Sequence, residues 1–449
     1  MEINLRNSTI IRPAQETPKH FLPNSDLDIV APQVYVPNLF CYRRPRDSSN
    51  FFEAGLLKDA LSKVLVSFYP VAGRLGKKQN GRVLVDCNGE GVLFMEAEAS
   101  CCIDDFGDFS QGLKLLPLLP TVDETKDVSS HELMVAQVTH MKCGGVCLGV
   151  RLHHILTDAI STFHFINSWA EIARGLPTIS TQPFFDRNIL NVGIPTSPTF
   201  HHIEYDPPPS MNSPTQNLES QSIPGSICTA ILKLSVDQMK TLKEKSNRGH
   251  GYPIKYTRFE ILAAHIWRCV CKARGLSDDQ ASKIYFPTNG KSRLNPPLPP
   301  GYFGNVIFTT ALIALSGDIQ SEPLNYTVER IHNAFKRRDN EYLKSALAYL
   351  KQQPDLTNFR RGAHTFKCPN FNIVNLIQMP MYEADFGWGR PFFMRPVNTY
   401  FEGQSHVLPS PTNDGSLVVS VNLQTQHVES FKKLFYEIFL QHQNTRSRY

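Results

Sequence analysis

No run of apolar residues in the 449-residue chain approaches the ~18–20 needed to cross a bilayer, so a membrane-spanning helix is excluded. After its first charges, the N-terminus Met1-Glu2-Ile3-Asn4-Leu5-Arg6 also lacks the apolar core of a secretory signal. Blocks of like charge are missing too. Net charge is only +5 and is spread along the chain, which removes the electrostatic case for nucleic acid. The ten cysteines form no paired metal-ligand spacing: Cys269 and Cys271 sit two apart on an expected helix and diverge, and Cys143-x3-Cys147 has no second pair. We therefore expect no structural zinc, reduced thiols and a cytoplasmic, monomeric protein. No repeat of solenoid period occurs. Disorder is excluded as well, because 41% of residues are hydrophobic and 10% aromatic.

What is present reads as two α+β halves, with mixed sheets carrying helices. Helical spacing marks 51–66, with apolar Leu56, Leu57, Ala60, Leu61 and Val64, and 161–174, with Phe163, Ile166, Trp169, Ala170 and Ala173 on one side. Alternation predicts strands at 145–153 and 227–234, and a hairpin of 82–86 with 92–97 around Asn88-Gly89. Helices are expected at 235–246, 257–273 and 325–342, and a strand at 302–309. Residues 177–226 lose all period and are rich in Pro, Ser, Thr and Asn, including Pro207-Pro208-Pro209. So long an irregular stretch suits a crossover between an N-terminal domain (1–176) and a C-terminal domain (227–449). A segment near 370–400 is expected to pack back on the N-terminal domain. Clefts between such halves commonly hold small molecules.

Two clusters carry chemistry. His153-His154-Ile155-Leu156-Thr157-Asp158 stands where a strand ends and a helix begins, a place where side chains are exposed on a rigid support. Adjacent strand residues point oppositely, so one histidine at most faces a cleft. A neutral imidazole there can take a proton from a hydroxyl or amine. The plain alternative is two structural histidines before an aspartate helix cap. A metal-dependent hydrolase using His153, His154 and Asp158, with His164 added, is a further alternative. The second cluster is Asp385-Phe386-Gly387-Trp388-Gly389-Arg390, whose paired glycines imply an unusual backbone path around an indole that needs a hydrogen-bond partner if buried.

Taken together, HxxxD near residue 155 and DFGWG near 387 resemble the paired signatures of the plant BAHD acyl-CoA-dependent acyltransferases. Ser8-Thr9-Ile10-Ile11-Arg12-Pro13, the 68–75 run FYPVAGRL and Tyr302-Phe303-Gly304-Asn305 look like further family motifs. The runs 104–109 (DDFGDF), 164–169 (HFINSW), 361–366 (RGAHTF) and 408–415 (LPSPTNDG) resemble the hydroxycinnamoyl-CoA shikimate/quinate transferase branch.

The resemblance implies a two-domain chloramphenicol-acetyltransferase-like fold, joined by the long crossover and enclosing a channel through which acyl-CoA and a small acceptor meet at the histidine. It implies His154 as general base, His153 as its structural neighbour, and Asp158 as a structural partner of an arginine, Arg293 being the candidate. It further implies Trp388 as oxyanion donor with Asp385 beside it, Arg361 as anchor for an acceptor carboxylate, and Lys255, Arg258 and Lys291 at the CoA mouth. Acyl-CoA is a co-substrate, and no cofactor or metal is expected.

Three departures bear on these expectations. Ala159 follows the motif's Asp, where the family usually has Gly, a cost of about 1 kcal/mol if that position needs φ > 0. Asn289 and Lys291 replace the usual Asp and first Arg. Val374 stands where the shikimate enzymes offer a threonine hydroxyl, and Tyr35 where they commonly have His, which shifts the acceptor away from shikimate toward another acid, quinate or an amine.

Overall fold

The structure is a computed structural model that describes residues 2–46, 48–77, 82–107, 109, 112–122, 128–212, 227–246, 256–397, 401–412 and 414–440. Two six-stranded mixed sheets organise it. The first runs Ile3–Ile11, Val92–Ala99, Met134–Met141, Val146–His153, Tyr35–Tyr42 and Phe393–Pro396 in spatial order. The second runs Ile307–Leu315, Ala281–Asn289, Phe371–Asn375, Gln404–Pro409, Leu417–Gln424 and Ile227–Leu234. A three-stranded sheet of Phe21–Pro23, Val83–Asp86 and Arg74–Lys77 stands beside the first.

Each large sheet buries its own core. The Ala54–Ser67 and Ala159–Ala173 helices cover the first, with Leu61, Leu65, Phe165, Ile166 and Trp169 all fully buried. Arg258–Ala273, Leu324–Lys336 and Thr425–Leu440 cover the second. Arg258–Ala273 is buried on nearly every side, and Thr257 caps its N-terminus in a reciprocal box with Glu260. After Phe371–Asn375 the chain leaves the second sheet. Leu376, Met381, Ala384 and Phe386 then pack into the first core, and Phe393–Pro396 pairs antiparallel with Tyr35–Tyr42. This C-terminal segment therefore straps the two sheets together across the space between them.

Three local expectations are corrected. Residues 82–86 and 92–97 form no hairpin: Val83–Asp86 pairs with Arg74–Lys77, whereas Val92–Ala99 pairs with Ile3–Ile11. Gly89 and Gly91, both at positive φ, redirect the chain between the sheets, and a Cβ on Gly91 would lie 2.5 Å from the Ile11 carbonyl. The helix expected over 325–342 is two helices, because Asp339 accepts from Tyr342 N and caps a new one at Asn340–Lys351. The strand expected at 302–309 begins only at Ile307 and runs to Leu315.

Candidate active site

Val146–His153 ends where the two sheets face each other, and the side chains divide there as alternation requires. His153 turns away. It is buried edge-on against Tyr35, takes the Ile155 N–H on Nδ1 at 3.3 Å, and burial pushes its pKa down to about 3. His154 is half-buried and lines a cavity of about 190 Å³ between the sheets. Its Nδ1 lies 3.1 Å from Asn305 Oδ1, and no hydrogen bond engages Nε2 among the described residues.

Asp158 is 1% exposed and caps the Ala159–Ala173 helix. Its Oδ1 accepts from Ser161 N at 2.8 Å and Lys291 Nζ at 3.2 Å, and its Oδ2 from Val306 N at 3.2 Å. The cation is thus Lys291, not Arg293. Asn289 Oδ1 accepts from Lys291 N and closes a turn, from which Lys291 reaches inward to Ser161 Oγ and the Tyr302 carbonyl as well. Lys291 is therefore buried as the counter-ion of Asp158. Arg293 instead donates to the Arg338 carbonyl. Ala159 opens the helix at ordinary φ and is not strained. Asp158, His153 and His164 are each held by separate partners, the last bonded to the Thr181 carbonyl. No group of three metal ligands occurs among the described residues.

Arg361 enters the same cavity as His154. Its guanidinium lies over Tyr205 and Tyr285, 5.3 and 5.4 Å from the ring centroids. Its Nη2 is buried without a hydrogen bond, and it has no ion-pair partner among the described residues. Phe366 and Phe401 continue the aromatic wall. Val34, Val36, Ile307, Val374 and Leu376 supply apolar surface, and Asn38, Thr309, Asn372, Gln404 and His406 are polar groups that line the cavity from the strands. Burial pushes the His406 pKa down to about 4, so it is neutral at pH 7. None of Asn305, Asn372, Gln404 and His406 was assigned a role from sequence; Asn305 alone had a signal, as the end of Tyr302-Phe303-Gly304-Asn305.

Two expected residues lie elsewhere. Val34 and Val36 face the cavity, so Tyr35 between them faces the other way and donates its hydroxyl to the Glu132 carbonyl at 2.8 Å. Trp388 packs on Phe51 and Phe52, with centroids 6.0 and 5.0 Å apart, and does not line the cavity. Asp385 Oδ1 accepts from Gly387 N and Gly389 N, both at 2.9 Å, and so holds that loop at the two positive-φ glycines. The contacts of Asp385 and Trp388 thus lie within their own loop and against Phe51 and Phe52, and neither residue lines the cavity around His154.

Beside the cavity, and sharing Pro287 with it, a groove of about 530 Å³ contains Arg258, Arg293 and Arg338. None of these has an ion-pair partner among the described residues. Lys255 lies outside the described residues. Arg338 is 6% exposed, and burial, then Arg293, lower its pKa to about 9.

The sequence model of the Transferase family matches residues 1–438. The chain belongs to this family, the BAHD acyltransferases. It is an acyl-CoA-dependent acyltransferase. This BAHD chain is 50% identical over 438 residues to a shikimate O-hydroxycinnamoyltransferase of Nicotiana tabacum, covering 97% of this chain and 100% of the relative. It is 44% identical to a hydroxycinnamoyl-CoA:5-hydroxyanthranilate N-hydroxycinnamoyltransferase of Avena sativa, covering 98% and 100%. Its fold is that of vinorine synthase, with a TM-score of 0.75 at 20% identity, covering 97% of this chain and 98% of that one.

Proposed function

We propose that this BAHD enzyme transfers a hydroxycinnamoyl-type acyl group from CoA to the hydroxyl or amine of a small acid, with His154 as general base. The observation that carries the reading is that a half-buried imidazole with a free Nε2 and an unpaired guanidinium, Arg361, line one small apolar cavity. His154 Nε2 takes the acceptor's proton as its oxygen or nitrogen attacks the thioester carbonyl. The tetrahedral intermediate then collapses, the carbon–sulfur bond breaks, and the proton passes to the departing CoA sulfur.

Guanidinium is shaped to bind carboxylate through two parallel charge-assisted bonds, and a half-buried one with no protein anion attracts such a ligand. The acceptors named for the two relatives, shikimate and 5-hydroxyanthranilate, are both acids. Tyr205 and Tyr285 against Arg361, Phe366 and Phe401 beyond them, and Val374 where the shikimate branch has a threonine hydroxyl favour a flat aromatic acid over a polyol. The Arg258–Arg293–Arg338 groove supports binding of CoA phosphates next to the cavity.

The test is turnover of p-coumaroyl-CoA or caffeoyl-CoA against aromatic acids, their amides, shikimate and quinate, for wild type and Arg361→Ala. Acids should outperform amides, and the variant should lose ~2–5 kcal/mol of kcat/KM for the acid with KM for acyl-CoA little changed. Equal weakening of acid and amide would refute the anchor.

A further inference from the structure

Two buried polar atoms of cavity-lining residues have no hydrogen-bond partner among the described residues: Arg361 Nη2 and Asn372 Oδ1. The first is a donor and suits a carboxylate. The second is an acceptor, and the reaction derived so far gives it nothing to do. Asn372 is 2% exposed, so its amide oxygen is satisfied only by what enters the cavity.

The backbone fixes where that oxygen stands. Asn372 N donates to the Gly403 carbonyl at 2.8 Å, and the residue pairs in register with Tyr285 on one side and Gln404 on the other. Register partners on adjacent strands present their side chains to the same face of the sheet. Arg361 lies over the Tyr285 ring, 5.4 Å from its centroid, so guanidinium and amide oxygen are neighbours on one wall. The Tyr285 hydroxyl is itself buried without a hydrogen bond and does not serve Asn372. Two residues along the strand, Val374 lines the cavity with no polar group to offer.

A carboxylate oxygen can only accept, so it suits Arg361 and is unsuited to Asn372 Oδ1. The group that meets Asn372 must carry an O–H or N–H. The proton of the attacking group goes to His154 Nε2, which leaves a second donor on the ligand to fill this place. We propose that Asn372 is a specificity-determining residue that accepts a hydrogen bond from a hydroxyl of the acceptor other than the group acylated. The preferred acceptor is then an aromatic acid bearing a further ring hydroxyl. The inference rests on Arg361 being the carboxylate anchor and His154 the base, and the experiment separates them.

With p-coumaroyl-CoA as donor, kcat/KM is measured for anthranilate and its ring-hydroxylated isomers, and for phenyllactate and its 4-hydroxy and 3,4-dihydroxy forms. Wild type, Asn372→Leu and the smaller Asn372→Ala are compared, with Tm recorded for each. In wild type the best hydroxylated acid should exceed its parent acid by roughly 10–100-fold, because the parent leaves the amide oxygen unpaired. In both variants that ratio should fall to within about threefold. Asn372→Leu should keep the wild-type Tm or raise it, since the oxygen it removes holds no protein group. Equal use of every isomer and its parent by wild type would overturn the inference, as would a preference that survives in the variants. So would acceptance of neither aromatic series. A changed preference between cinnamoyl-CoA and p-coumaroyl-CoA, with acceptor choice unaltered, would assign Asn372 to the acyl group and overturn it too. An amide used as well as its acid by wild type would overturn the Arg361 anchor instead, leaving a hydroxyl preference lost in the variants in place.

Discussion

Removing the carboxylate of Asp158 should damage the fold more than the chemistry, and the structure sets the size of the effect. Asp158→Ala deletes a helix cap, worth ~1 kcal/mol, and orphans the Val306 N–H, worth ~1–2 kcal/mol. It also strips the counter-ion from Lys291. Breaking a buried ion pair from one side costs ~3–5 kcal/mol, but Lys291 keeps Ser161 Oγ and the Tyr302 carbonyl, which places this case at or below the low end. The contributions share one carboxylate and do not add fully, so we take ~4 kcal/mol in total. At ~2.1 cal/mol/K per residue, a chain of this length has an unfolding entropy of ~0.9 kcal/mol/K, so Tm should fall by about 4 °C. Asp158→Asn keeps an oxygen for Ser161 N and should lose about half as much. Lys291→Met should also be milder than Asp158→Ala, since Asp158 retains two backbone donors. Differential scanning fluorimetry at neutral pH, run beside acyl-CoA turnover, reads both effects. A Tm for Asp158→Ala within about 1 °C of wild type would refute the argument that this pair anchors the two sheets.

His154→Ala should fold normally and lower kcat ~10²–10⁴-fold, checked by release of free CoA thiol; near-normal turnover would remove the proposed base. Trp388→Phe should keep kcat within a few fold while lowering thermal stability, since the indole packs on Phe51 and Phe52; a loss of kcat with unchanged Tm would restore it to the chemistry. His153, His265 and His406 are held neutral by burial, with pKa values near 3, 4 and 4 against 6.5 when unfolded. The unfolded chain thus binds more protons below pH 6.5, so stability should be intact above that pH and fall as pH drops toward 4, by up to ~1.4 kcal/mol per pH unit for each histidine. Urea midpoints across this window measure it, and His406→Gln should flatten the slope; an unchanged slope would mean His406 is not buried neutral.

Much of the covalent logic was local and so legible without a fold. Alternation along 145–153 followed by helical spacing placed HxxxD at a strand end, and the opposite directions of neighbouring strand residues required that only one of the two histidines face a cleft. The cap role of Asp158 was equally local, since a carboxylate before a helix meets that helix's own N–H groups. Val374, placed at the acceptor only by resemblance to the shikimate branch, lines the cavity.

Arg361, some two hundred residues away in sequence, does reach the cavity of His154, but other placements that depended on which distant residue arrives, or on strand phase, came out differently. Choosing Arg293 for Asp158 weighed charge type, whereas the turn closed by Asn289 decided that Lys291 points inward. Tyr35 and its valine neighbours differ by one residue, and one residue of phase moves a side chain to the opposite face of the sheet. Trp388 lies in a strong motif, yet two glycines and Asp385 fold that motif onto Phe51 and Phe52. The hydrogen bonds and ion pair behind His154 join Asp28, Arg187 and Asn305 from three segments separated by more than a hundred residues each. Local periodicity constrains direction within a strand or helix, but hydrogen bonds and ion pairs act over about 3 Å, so their partners are settled only when packing of the two sheets brings the segments together.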